Sequence, residues 1–206
     1  MRTIVLLRWW FLFFFASGLA LLASFYLDAS VQAWIAQHQS AEMKNLMRHV
    51  SRLGDWPAHM TLGLTFLTLA YWRRSQRWMR ILAAMILAFA LAGAVARVIK
   101  ISTGRARPDI QAEAGWNGPR FSSRYNAFPS GHTATSTAFF VTLALASWRI
   151  GLGFLAVPLL IAFSRMYVTA HYLSDVVGAA LIGIVIAYFV VRWIPIIRNP
   201  ESEIRN

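Results

Sequence analysis

The chain has 206 residues, 58% of them hydrophobic and only 14% charged, whereas a soluble domain is about a quarter charged; an ordinary water-soluble globule is excluded. Its 20 Lys and Arg stand against 8 Asp and Glu, a formal charge of +12, but among long apolar runs basic residues flank membrane spans and meet anionic lipid head groups, so nucleic acid is not the expected partner. There is no cysteine, which excludes disulfides and thiolate metal sites.

Runs of about 18 or more apolar residues are long enough to cross hydrocarbon as helices. The sequence predicts six, at about 4–27, 56–72, 79–99, 130–148, 151–169 and 175–194. The expected fold class is all-α: one membrane-embedded domain over 1–206, a bundle of six transmembrane helices. The first run follows a basic start, as a secretory signal does, but it is too long for a signal core and reads as a helix. After it, Val31, Trp34 and Ile35, then Met43, Leu46, Met47 and Val50, form two amphipathic patches out of phase with each other. These predict two short interfacial helices in the first outer loop.

Arg73, Arg74, Arg77 and Arg80 crowd the link between spans two and three. Together with Arg2, Arg8, Arg149, Arg192, Arg198 and Arg205 they place both termini and the even-numbered links in the cytoplasm. Lys44, Arg48 and Arg52 in the first outer loop run against that rule. The stretch 102–129 carries Gly104, Pro108, Gly115, Gly118 and Pro119 and is expected to be irregular. Pro158 is expected to kink the fifth span. Trp9, Trp10, Trp56, Trp72, Trp78, Trp148 and Trp193 lie near span ends, where amphipathic rings favour the interface.

Charges at the edge of a span mark function more often than chance. Three groups stand out: Lys100, Arg105, Arg107 and Pro108 after span three; Pro129-Ser130-Gly131-His132 opening span four; and Ser164-Arg165, His171 and Asp175 between spans five and six. Counting crossings puts all three on the outer side. Lys100, Arg107 and Arg165 supply positive charge, and guanidinium forks match phosphate oxygens. Ser130 and Gly131 add backbone amides and the dipole of a helix start. Together they make an anion cradle suited to phosphoryl transfer. His171 and Asp175 are four apart. On a helix they share a face, where the carboxylate orients the imidazole as nucleophile or base. His132, from another helix, is the natural second proton carrier.

Each piece taken singly has a plainer reading. Lys100 and Arg107 serve equally as snorkelling anchors, Pro-Ser-Gly as a turn and helix start, and His171–Asp175 as a structural pair. His38, His49 and His59 have no carboxylate four residues on and read as structural. Asp28, Glu42 and Asp55 read as interfacial loop residues, and Arg97 and Arg105 as contributors to the local field.

Jointly, the strings resemble the type-2 phosphatidic acid phosphatase superfamily, the lipid phosphate phosphatases related to vanadium haloperoxidases. That signature is Lys, six residues, Arg-Pro; then Pro-Ser-Gly-His; then Ser-Arg, five residues, His, three residues, Asp. The chain matches each fixed position, from Lys100 to Asp175. The resemblance implies that His171 attacks phosphorus and forms a phosphohistidine, with Asp175 orienting it. His132 would protonate the leaving oxygen and then activate water, while Lys100, Arg107, Ser130, Gly131 and Arg165 hold the phosphate oxygens. No metal or other cofactor is expected, and vanadate is expected to occupy the site.

The expected substrate is a lipid phosphate or pyrophosphate (phosphatidate, phosphatidylglycerophosphate or an undecaprenyl pyrophosphate type) entering sideways from the surrounding membrane lipids. Trp116, Phe121, Tyr125 and Phe128 either line that entrance or anchor the loop at the interface. A lipid phosphotransferase would use the same residues. A transporter of anionic lipid is weaker, because transporter sites sit near the midplane, and a haloperoxidase weaker still, those relatives being soluble. The size and family resemblance suit a bacterial inner membrane with the site on its periplasmic or extracytoplasmic face.

Overall fold

A computed structural model describes residues 2–110 and 115–194, giving the backbone alone for residues 2–7. Arg198 and Arg205 lie outside the described residues. Among the described residues eight α-helices follow in order: α1 (Arg2–His38), α2 (Ala41–Arg52), α3 (Trp56–Trp72), α4 (Gln76–Thr103), α5 (Gly131–Ala146), α6 (Trp148–Phe154), α7 (Ala156–Tyr167) and α8 (Leu173–Trp193). Among the described residues there is no strand beyond a single bridge between Arg105 and Trp116.

Among the described residues four stretches are long and apolar enough to cross a membrane: Arg8–His38, Gln76–Thr103, Trp148–Tyr167 and Leu173–Trp193. The expected second and fourth spans appear as α3 and α5, of 17 and 16 residues. Their outer surfaces are apolar, with Leu62, Leu64, Phe66 and Leu145 exposed.

The first outer loop differs from expectation. Residues 31–38, expected as a separate interfacial piece, continue α1 without a break. No Gly or Pro interrupts 28–38, so nothing ends the helix at the end of its apolar run. At 37 residues and about 1.5 Å per residue, α1 outruns hydrocarbon by several turns. It stops at Gln39, and Ser40 caps α2 by accepting the Met43 N–H at 3.1 Å. Ile35, Met47 and Tyr167 then bury together, joining the end of α1 to α2 and α7.

The fifth span is interrupted, although at Leu155 rather than at Pro158. Proline at 158 removes the N–H that would bond the Phe154 carbonyl and crowds that carbonyl, so the break falls one turn upstream.

Helix α5 is the centre of the bundle, packed against α4, α8, α6 and α7. Small residues permit this. Ala84, Ala88, Ala92 and Ala96, spaced four apart on α4, are 0–1% exposed. Gly183 of α8 sits so near α5 that a Cβ there would lie 2.7 Å from the Ala134 carbonyl. In lipid, where apolar burial drives helix association little, such close backbone approach is a main source of packing energy.

Candidate active site

The irregular segment after α4 starts at Gly104, whose φ of +56° is left-handed and whose added Cβ would stand 1.9 Å from the Gly118 carbonyl. Only glycine fits there. Backbone bonds from Ala106 to Gly115, Arg107 to Arg124 and Ala127 to Arg105 then fold the segment over the ends of α4, α5 and α8.

All eight expected site residues lie at this end. Lys100, in the last turn of α4, donates to the Asn126 carbonyl at 2.7 Å. Its side chain passes Gly131, where an added Cβ would sit 3.5 Å from Lys100 Cε. Ser130 is fully buried. Its amide, expected to face an anion, instead donates to the Asp175 carbonyl at 3.0 Å and ties the start of α5 to that of α8. Its Oγ accepts from Thr133 at 3.0 Å. Arg165 Nη1 donates to Ser51 Oγ at 2.6 Å. The Nε atoms of Arg107 and Arg165 are buried with no protein partner, donors left open to an acceptor that the protein does not supply.

The histidine–aspartate pair forms differently from the expected shared helix face. Helix α8 starts at Leu173, after His171. The four-residue spacing spans the helix entry: Asp175 Oδ2 accepts the Tyr172 N–H at 2.8 Å and lies 3.5 Å from His171 Nδ1. Gln32, on the extension of α1, donates to the His171 carbonyl at 3.2 Å. The His171 ring is buried. Burial first, then the charges of Lys100, Arg165, Arg107 and His132, hold its pKa well below the ordinary histidine value of 6.5. At neutral pH it is an uncharged imidazole with a free lone pair.

Several residues read as peripheral turn out to be central. Arg105 is a buried hub: Nη1 donates to Asp175 Oδ1 at 2.5 Å and to Ser174 Oγ at 2.6 Å, and Nη2 to Asp28 Oδ2 at 2.7 Å. Its guanidinium also lies 4.3 Å from the Tyr172 ring centroid and 5.2 Å from those of Phe25 and Trp116. Asp28, read as an interfacial loop residue, accepts from both the amide and the hydroxyl of Ser174. Asp55, read the same way, places Oδ1 2.6 Å from His132 Nε2. The one available sequence signal was position: both carboxylates flank spans on the side of the cationic cluster.

His59 is buried among Phe89, Phe139 and Phe140, and His38 and His49 bond carbonyls four residues back on their own helices. Phe121 is exposed, but Phe128 packs on Phe25 and Trp116 and so braces the loop.

The chain can now be set beside known proteins. A lipid A 1-phosphatase of Rhizobium johnstonii is 38% identical over 94 residues, 44% of this chain and 38% of that protein. An undecaprenyl-diphosphatase of Bacillus subtilis, BcrC, is 32% identical over 72 residues, 35% of this chain and 37% of that one. The matched stretch thus spans about two fifths of the length of these curated relatives. Among solved structures, a transmembrane PAP2-type phosphatidylglycerolphosphate phosphatase from Bacillus subtilis shares the fold with a TM-score of 0.66 at 19% identity, covering 89% of this chain and 92% of its own. Aquifex aeolicus LpxE aligns with a TM-score of 0.58 at 20% identity, over 81% of this chain and 95% of its own. The PAP2 superfamily profile matches residues 81–198, more than half of the sequence and all three charged strings, and the chain belongs to that superfamily.

Proposed function

We propose that the chain is an integral membrane lipid phosphatase, cleaving a lipid phosphate monoester or pyrophosphate through a phosphohistidine at His171. The observation that carries this is the His171 imidazole, buried and neutral, backed by Asp175 at 3.5 Å and set within the field of Lys100, Arg107 and Arg165. The relatives' names, lipid A 1-phosphatase, undecaprenyl-diphosphatase and phosphatidylglycerolphosphate phosphatase, support a lipid-borne phosphate.

Asp175 faces Nδ1 and so leaves Nε2 of His171 to attack phosphorus. The bond from phosphorus to the lipid oxygen breaks as the Nε2–P bond forms, and His132 gives that oxygen its proton. His132 then takes a proton from water, the resulting hydroxide attacks phosphorus, and inorganic phosphate leaves with His171 restored. Lys100, Arg107, Arg165, the Ser130 hydroxyl and the Gly131 amide stabilise the equatorial oxygens throughout. Metal has no part in the scheme.

On this reading α3 and α5 complete six crossings, the basic α3–α4 link faces the cytoplasm, and the site opens at the extracytoplasmic face of a bacterial inner membrane. A lipid phosphate held by its tails in the outer leaflet then presents its head group at the depth of the cationic cluster.

Phosphate release from a panel of lipid phosphates in detergent, with EDTA present, tests the reading. Wild-type activity is expected to persist, and His171→Ala and His132→Ala to lose about a thousandfold or more in kcat. Near wild-type turnover by His171→Ala would end the nucleophile assignment, and complete loss in EDTA the metal-free scheme.

A further inference from the structure

We infer that Asp55 is the positioning residue for His132, doing for the proton carrier what Asp175 does for the nucleophile. The inference rests on the proposed proton-transfer role of His132 and extends the site to the turn between α2 and α3, which precedes the stretch matched by the family profile.

That turn is built against the site. Ser51 accepts from Arg165 at 2.6 Å. Gly54 lies under the His132 ring, where an added Cβ would stand 3.0 Å from His132 Cδ2 and 2.8 Å from Ile161 Cγ2. Asp55 is the N-cap of α3, yet its carboxylate makes no capping bond. It turns to His132 Nε2 at 2.6 Å instead. Helix starts usually employ an aspartate as a cap, so this one forgoes local stabilisation for a contact 77 residues away.

The geometry assigns the ring nitrogens. Cδ2 faces Gly54 and Nε2 faces Asp55, so Nδ1 lies on the ring edge turned away from the turn. With Nε2–H donated to Asp55, Nδ1 is the atom that gives a proton to the leaving oxygen and takes one from water, and Asp55 holds the ring in place. The charged groups near His132 are Arg165 on α7, Lys100 on α4 and Asp55 before α3, with His171 in the α7–α8 link. The cations oppose an imidazolium, and Asp55 is the carboxylate that favours one. The Asp55 side chain is 48% exposed and that of His132 27%, so the pair stands at the open side of the site while His171 lies behind it.

The test is the pH dependence of kcat and KM for Asp55→Asn, Asp55→Glu and His132→Ala, with a short-chain phosphatidate in detergent micelles. Asparagine keeps the size and the helix-capping preference of aspartate, so folding is preserved. Asp55→Asn is expected to lower kcat on the order of a hundredfold with little change in KM. Its basic limb is expected to move to lower pH, because the imidazolium loses its counterion, and Asp55→Glu to recover part of both. If His132→Ala is inactive while Asp55→Asn keeps wild-type kcat and pH profile, Asp55 has no such role. Equal losses in both Asp55 variants with an unmoved basic limb would mark a structural contact and also overturn the inference. Near wild-type turnover by His132→Ala would instead remove the proton-carrier reading beneath it.

Discussion

At the scale of single residues, the orientation of His171 depends on a chain of polar contacts: Asp28 to Arg105, Arg105 to Asp175, and Asp175 to the neutral His171 ring. The two carboxylates are 0–11% exposed and share one guanidinium, itself 11% exposed. Such groups are tolerable only when paired and hydrogen-bonded. Replacing Arg105 by methionine removes the shared cation and leaves two unpaired carboxylates. Arg105→Met is therefore expected to cost about 3–5 kcal/mol of stability, read as an earlier unfolding midpoint in detergent, and to lower kcat as Asp175 loses its orientation. A midpoint and kcat within error of wild type would show that the hub is dispensable. The three strings were legible because each keeps its spacing within a few residues. Arg105–Asp28 and His132–Asp55 each join residues 77 apart, and Arg165–Ser51 residues 114 apart. No local period records such pairs; only the folding of the bundle creates them.

At the scale of helices, the close packing of α5 on α8 sets the distance between the two halves of the site. The Ser130 N–H to Asp175 carbonyl bond at 3.0 Å spans that contact, and Gly183 holds it closed further along. Gly183→Val would drive side-chain atoms into the Ala134 carbonyl and Thr137 Cβ, so α8 must move away from α5. A cost of about 1–3 kcal/mol and a fall in kcat are expected, from thermal unfolding and phosphate release in detergent. Unchanged values for both would mean that the α5–α8 spacing does not set the site. Apolar run length located the ends of α3 and α5 to within two residues. It failed for α1 because hydropathy reports where hydrocarbon ends, whereas the helix stops only where the chain can turn, at Gln39 and Ser40. The extension so missed is what carries Asp28 and Gln32 to the site.

At the scale of the molecule, the bundle segregates charge along its length. The basic α3–α4 link and the site lie at opposite ends of α4, 28 residues long and about 40 Å at 1.5 Å per residue. Lys100, Arg107 and Arg165 at the site end are half-buried beside the His171 imidazole, while Arg73, Arg74 and Arg77 at the other end are exposed. This asymmetry separates an enzyme site from snorkelling residues, which serve either end alike. The most direct test of the whole account is rapid acid-free quenching of the wild-type protein after mixing with a lipid substrate labelled with ³²P. A burst of protein-bound label, stable to alkali, labile to acid and mapped to His171, is the predicted result. Full turnover with no labelled protein at any quench time, or label on another residue, would contradict it.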